Sequence, residues 1–403
     1  MVRQKRNFGL FSVLAILTAV ATTPAQDFMP PDRPPPADYL VQGEYFGTIE
    51  GGGDLGAWVV GQGANGGDDY FAVFLPGGLL TIPNQPYGGW NGTTQFTSKG
   101  RAATLVPTGA GFTGSIKDSS GTKVMTGKTN TGANFSLKRV VRQSPTLGMA
   151  PPATLPAGTT SEYWFRANTQ ADLANWTPSP TMRYGGNLYR GVTCTKSHGT
   201  AYVHVEIRSP YCPTCRDQDR GNSGVYLRGA HEFQVLDSFG NPIHDNELGA
   251  IYKVSPPSVN AALPPLTWQT YDIYYTLGTT ANTAIATVYL NGVMVQNKTN
   301  IPRLTDGASA NPFLFLQDHG HDVVYNNIWV VKGATETSLP WNTLVVPVVT
   351  IGDKNPPARS KFLNSDPATY DWGNLFDITG RKFEKGRRLS VLPFENSSSH
   401  SSH

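Results

Sequence analysis

Residues 220–237, RGNSGVYLRGAHEFQVLD, decide how the rest of this chain is read. The stretch opens on a Gly-Asn-Ser-Gly turn, runs into Val225-Tyr226-Leu227, breaks at Arg-Gly-Ala and resumes from His231 to Asp237. Two short strand-like runs around a glycine break predict a β-hairpin. Asn222, Arg228, Glu232, Gln234 and Asp237 can bind ligands or move protons, yet they sit in a segment otherwise suited to a core. Glu232 and Gln234 are two apart, so in a strand both side chains leave on the same face. That pattern leaves two readings open, a hairpin with a solvated polar face or one wall of a polar site.

The flanking sequence, from about residue 161 to 333, carries the same signature. In residues 201–208, AYVHVEIR, the groups Tyr202, His204, Glu206 and Arg208 alternate with Val203, Val205 and Ile207, giving one ionisable and one apolar face. In TVYLNGVMVQN, Asn291-Gly292 separates two alternating apolar runs, a strong signal for a tight hairpin. WQTYDIYYTL and FLFLQDHGHDVVYNNIWVV add strands rich in aromatic and β-branched residues. Helical periodicity is nearly absent, and an antiparallel two-sheet jelly roll fits best.

Residues 40–142 form a second unit of short strands and glycine turns, expected to be a small all-β sandwich or barrel with an accessory role. It holds neither histidine nor cysteine. Two Pro/Gly-rich connectors, at 26–39 and 143–160, bound it. Residues 334–403 have scattered apolar pairs and end in SSSHSSH, which predicts a largely disordered tail.

The chain has 403 residues, 39% hydrophobic and 11% aromatic, with 43 glycines and 31 prolines, enough for sizeable cores in a turn-rich protein. A net charge of +3 without a basic run argues against nucleic acid as a partner. Arg3, Lys5 and Arg6 precede an apolar run at 8–20 and small residues up to position 25, the layout of a secretory signal. That run falls short of the roughly 20 residues needed to cross a bilayer. The expectation is an exported protein, periplasmic, envelope-bound or extracellular, with no membrane span once processed. Its three cysteines suit one disulfide, either Cys212 to Cys215 or one linked to Cys194, with a thiol left over.

Candidate chemistry comes from three sources: His204 and Glu206 on one strand, the polar groups of 220–237, and Gln317, Asp318, His319 and His321 where LFLQDHGHD leaves its strand. In a jelly roll these could converge on one groove. Carboxylates with a histidine can take a proton and return one to a leaving oxygen, as glycosidic chemistry requires. Asp237 is equally suited to capping the turn DSFGN. No cofactor fingerprint is present, although Asp318, His319, His321 and Asp322 are of the types that hold a divalent metal.

RGNSGVYLRG, HEFQVLDSFGN, GAIYKVSPPSVNA, PPLTWQTYDI, VYLNGVMV, LQDHG and VVYNNIWVV resemble, in order and spacing, the 3-keto-disaccharide hydrolase domain family. GGLL and SPTLGMAPP also resemble the N-terminal β unit preceding this domain in some planctomycete-like secreted proteins. The resemblance implies a concanavalin-like jelly roll and cleavage of sugars oxidised to a ketone at C3. For such a carbohydrate substrate the expected catalytic groups are Glu232 or His319 as base and Glu206 as acid. Asn222 and Arg228 are expected to donate to the enolate or to hydroxyls, with His204, Gln234, Asp237 and Gln317 completing the binding set. The chain departs from the pattern at Asp217-Gln218-Asp219, where glutamine-glycine is expected, and at the YCPTC loop. A non-catalytic carbohydrate-binding module and an envelope-attached structural protein are the competing readings, because fold alone does not set function.

Overall fold

The computed structural model describes residues 39–351 apart from 62–68, 80–95, 100–103, 108–111, 120, 167–169, 179–181, 184–185, 281, 304–310 and 337–347. The expected signal segment, most of the first connector and residues 352–403 of the expected tail lie outside the described residues. Among the described residues no helix is long and apolar enough to cross a membrane.

The larger unit is an antiparallel two-sheet sandwich. One sheet runs in the order Trp176–Thr177, Val192–Ser197, Phe313–Leu316, Ser223–Leu227, His231–Val235. The other runs Met182–Arg183, Asn187–Tyr189, Val324–Lys332, Ala201–Arg208, Gln269–Leu277, Ala284–Leu290, Val293–Ile301, and Thr160–Phe165 pairs off it. The alternation read from sequence sets which side chains meet between the sheets. Val203, Val205 and Ile207 of one sheet join Val225, Leu227, Phe233 and Val235 of the other in a single core. Asn291 and Gly292 both adopt positive φ, 52° and 77°, as a tight turn between right-twisted strands requires. Leu290 pairs directly with Val293 across it.

The smaller unit is a closed barrel. Eight strands, from Gly43–Ile49 to Asn134–Gln143, pair in sequence order, and the last returns to the first with Tyr45 opposite Arg139. Closure removes the exposed edges that an open sheet would leave. Tyr45, Val59, Tyr70, Phe74, Met125 and Leu137 fill its interior. One segment of the expected tail is a strand: Val348–Ile351 pairs with the end of Asn134–Gln143, Val348 opposite Gln143.

The two units pack together. The Trp58 ring of the barrel lies 5.9 Å from Phe239 of the sandwich. Tyr39 meets Tyr211 edge-on at 5.1 Å, and its hydroxyl donates to the carbonyl of Pro265. The connector after the barrel does not span open solvent. Met149 and Leu155 pack onto Tyr202, Tyr274 and Trp329, on the outer face of the larger sheet.

Candidate functional site

The polar site is built on the outer face of the smaller sheet. In the hairpin Ser223–Leu227 and His231–Val235, Tyr226 lies opposite Glu232 and Gly224 opposite Gln234. Val225, Leu227, Phe233 and Val235 occupy the core, so period-two alternation sends these four residues outward together. The adjacent strand Phe313–Leu316 sets Phe315 opposite Tyr226, their rings 5.4 Å apart. Gln317 follows it, held by its N–H on the carbonyl of Gly224 (2.9 Å).

Glu232 is the chemical centre. Its side chain is buried, which pushes its pKa up to about 7, against a hydrogen bond from Tyr226 that pulls it down. Burial, followed by the charge of Glu232, raises the Tyr226 hydroxyl well above the ordinary phenol range. Gln317 Nε2 donates to the Tyr226 oxygen at 2.9 Å, leaving the tyrosine proton for the carboxylate. Gly224 makes this arrangement sterically available: a Cβ there would lie 2.6 Å from Glu232 Oε1.

Beside this centre, Gln234 Nε2 donates to Gln218 Oε1 (3.0 Å) and to the carbonyl of Asn246 (3.1 Å). Asn222 Nδ2 donates to the Gln218 carbonyl at 2.9 Å, and the Asn222 N–H donates to Nδ1 of His321 at 2.7 Å. Three buried polar atoms have no hydrogen-bond partner among the described residues: Gln234 Oε1 and Gln317 Oε1 beside this centre, and Arg228 Nε at the hairpin turn. Two are acceptors and one is a donor, a combination that suits the hydroxyl and carbonyl groups of a sugar. Arg228 opens the hairpin turn at φ 55°, its N–H on His198 Nε2 (3.0 Å).

Two expected members are placed elsewhere, and one has a structural task. His204 and Glu206 belong to the larger sheet and point away from the core on its far side, so the expected convergence on one groove does not occur. Their alternation was legible, but the sheet that Ala201–Arg208 joins reverses the direction in which the polar face looks. There they are buried beneath the connector rather than solvated. His204 Nδ1 meets Asp272 Oδ1 at 2.6 Å, and Glu206 Oε1 accepts from Gly148 N–H (2.6 Å) and Asn327 Nδ2 (2.8 Å). Burial alone would lower the His204 pKa, but Asp272 and then Glu206 outweigh it and raise it to about 9. Asp237 caps its turn: Oδ1 accepts from Phe239 N–H (3.3 Å) and Oδ2 pairs with Arg220 at 3.0 Å.

His319 is exposed at the end of the loop after Gln317, its ring 5.5 Å from that of His321. The candidate metal ligands are drawn to other partners. Asp318 pairs with Arg190 at 3.2 Å, Asp322 accepts from the Tyr189 hydroxyl, and His321 holds Asn222. Among the described residues no three His, Cys, Asp or Glu side chains are grouped to hold a metal ion. Cys212 and Cys215 form the local disulfide, and Cys194 is a buried thiol raised to about 12 by burial. Sequence reading missed Tyr226 and Gln218 as members of the site. Tyr226 shares the period of Gly224, and its position opposite Glu232 follows once the hairpin register is known.

Residues 162–331 match the model of the 3-keto-alpha-glucoside-1,2-lyase-like domain. This part of the chain is therefore similar to that domain family, which supports a carbohydrate-active protein. Three crystal structures of candidate glycosyl hydrolases from Parabacteroides distasonis ATCC 8503 are also similar to the chain. The first is 27% identical, covers 48% of this chain and 90% of its own, and has a TM-score of 0.38. The second is 17% identical over 43% and 99%, with a TM-score of 0.32, and the third 16% over 41% and 87%, with 0.27. TM-scores this low carry no weight for the fold, which rests on the sheets themselves. No curated protein matches the chain.

Proposed function

We propose that this is an exported enzyme that cleaves the glycosidic bond of 3-keto-glucosides by elimination, with Glu232 as the base. The observation that carries the reading is a buried carboxyl whose pKa of about 7 lets it accept and release a proton near neutrality, beside two glutamine acceptors that have no partner among the described residues. The family description points to the same chemistry. A C3 ketone acidifies the C2 proton. Glu232 takes that proton, and the C2–H electron pair becomes the C2=C3 bond of an enolate. Re-forming the C3 carbonyl moves the pair to C1–C2 and breaks the C1–O bond, and the departing oxygen takes a proton. Water then adds across C1=C2, with its hydroxyl at C1 and a proton at C2. No oxocarbenium ion is needed.

Arg228, as the unpartnered donor, is assigned to the enolate oxygen. Gln234 and Gln317 present acceptors to sugar hydroxyls, and Asn222 fixes the neighbouring loop. With Glu206 on the far side of the sandwich, His319 is the remaining candidate to protonate the leaving oxygen. Export is read from the basic and apolar N-terminus.

The test offers the protein a 3-keto-α-glucoside disaccharide and its unoxidised parent and follows released sugar. Release from the keto sugar alone, reduced about 10²-fold or more in Glu232→Gln, is the expected result. Tight binding of either sugar without release would make this a binding module.

A further inference from the structure

We propose that the N-terminal barrel positions the substrate groove, acting through the loop 211–219, which carries the Cys212–Cys215 disulfide, and ending on Gln218. The inference rests on the reading of the groove as a sugar site and assigns the barrel a task in it. Gln218 is a positioning residue: it sets how Gln234 is presented to the ligand.

The path is continuous. At the barrel end, Tyr211 is buried with Tyr39 and Leu266. Gly61, the last residue of the strand Asp54–Gly61, lies against the Tyr211 hydroxyl so closely that an added Cβ would come within 2.5 Å of it. The N–H of Gly61 is itself fixed on Gln42 Oε1 at 2.8 Å. Beyond Tyr211 there is little slack. Cys212 and Cys215 are bridged, the Cys215 N–H donates to the Cys212 carbonyl (3.2 Å), and Arg216 Nη1 donates to the carbonyls of Pro213 (2.8 Å) and Cys215 (2.7 Å).

The short 3-10 segment Asp217–Asp219 then delivers Gln218. Its Nε2 donates to the Asn246 carbonyl at 3.0 Å, and its Oε1 accepts from Gln234 Nε2 at 3.0 Å. A glutamine amide has one donor end and one acceptor end. With the Gln234 donor end occupied by Gln218 and Asn246, its acceptor Oε1 is the end left for a ligand.

The test is a double-mutant cycle in the full-length protein, reading KM and kcat on a 3-keto-α-glucoside disaccharide. Gln218→Ala should raise KM about tenfold, the equivalent of one hydrogen bond, while leaving kcat within about twofold. The pH midpoint set by Glu232 should not move. Gly61→Ala, inside the barrel, should raise KM about threefold or more, and the double variant should be no worse than Gln218→Ala, since both act on one path. Tyr211→Leu repeats the test should Gly61→Ala fail to fold. Effects that multiply independently, or an unchanged KM in the barrel variants, would overturn the proposal. Hydrogen exchange separates it from the functional reading. Amides 216–222 should exchange about tenfold faster in the barrel variant, whether or not the keto sugar is turned over. No change there sinks the barrel's role, whereas an exchange response without turnover by the wild type sinks the assigned reaction alone.

Discussion

Tyr226 and Glu232 face each other directly across the hairpin, and the tyrosine hydroxyl is hydrogen-bonded to the buried carboxyl. The pairing places a proton donor, an acid–base group and the two glutamine acceptors on one sheet face. It also places a cost there. A carboxylate desolvated by its neighbours destabilises the fold whenever it is ionised, a common feature of catalytic sites.

That cost predicts a stability effect of definite sign. The folded-state pKa of Glu232 is raised to about 7, so its favourable contribution is complete below the unfolded value near 4.5 and is lost as pH rises through 7. Glu232→Gln, which cannot ionise, should therefore stabilise the protein by about 1–3 kcal/mol at pH 8 and by little at pH 4. Denaturant unfolding at the two pH values measures it. An equal effect at both would mean that the carboxyl is not strained by ionisation.

Tyr226→Phe removes the hydrogen bond that favours the charged carboxylate. The Glu232 pKa should rise, moving the midpoint of the kcat/KM profile upward from neutrality by about one pH unit. Gln317 Nε2 loses its acceptor in the same variant, so a higher KM should accompany the shift. A pH profile identical to the wild type would remove Tyr226 from the proton chemistry.

On the far face, the connector is held over His204, which touches Asp272 and Glu206, while Tyr202 and Thr146 donate to Asp272 from the sheet and the connector. The His204 pKa is raised to about 9 in the folded state, so this contribution is complete below the unfolded value near 6.5 and is lost as pH rises through 9. Thermal stability should fall between pH 7 and 9 by an amount on the order of 2 kcal/mol. His204→Gln should flatten that dependence, and an equally steep fall in the variant would place its cause elsewhere.

Much of the architecture is local in origin and was legible for that reason. The Asn291-Gly292 turn, the hairpin at 223–235, the cap supplied by Asp237 and the C-x-x-C disulfide each depend on residues close together in sequence, whose backbone preferences or spacing suffice. The site was half legible. Glu232, Gln234 and Gln317 follow strand alternation within their own segments, but Tyr226 becomes a partner only once the hairpin register is known.

Alternation along Ala201–Arg208 determined that His204 and Glu206 share a face, and composition determined that both units are all-β. Which way that face looks was decided by pairing with Gln269–Leu277 and Val324–Lys332, far away in sequence. The connector that buries it, the return of Asn134–Gln143 to close the barrel, and the close approach of Gly61 to Tyr211 were likewise settled in three dimensions. A period of two assigns side chains to sides of a strand. Only the long-range contacts that assemble strands into sheets, and sheets against one another, determine what each side meets.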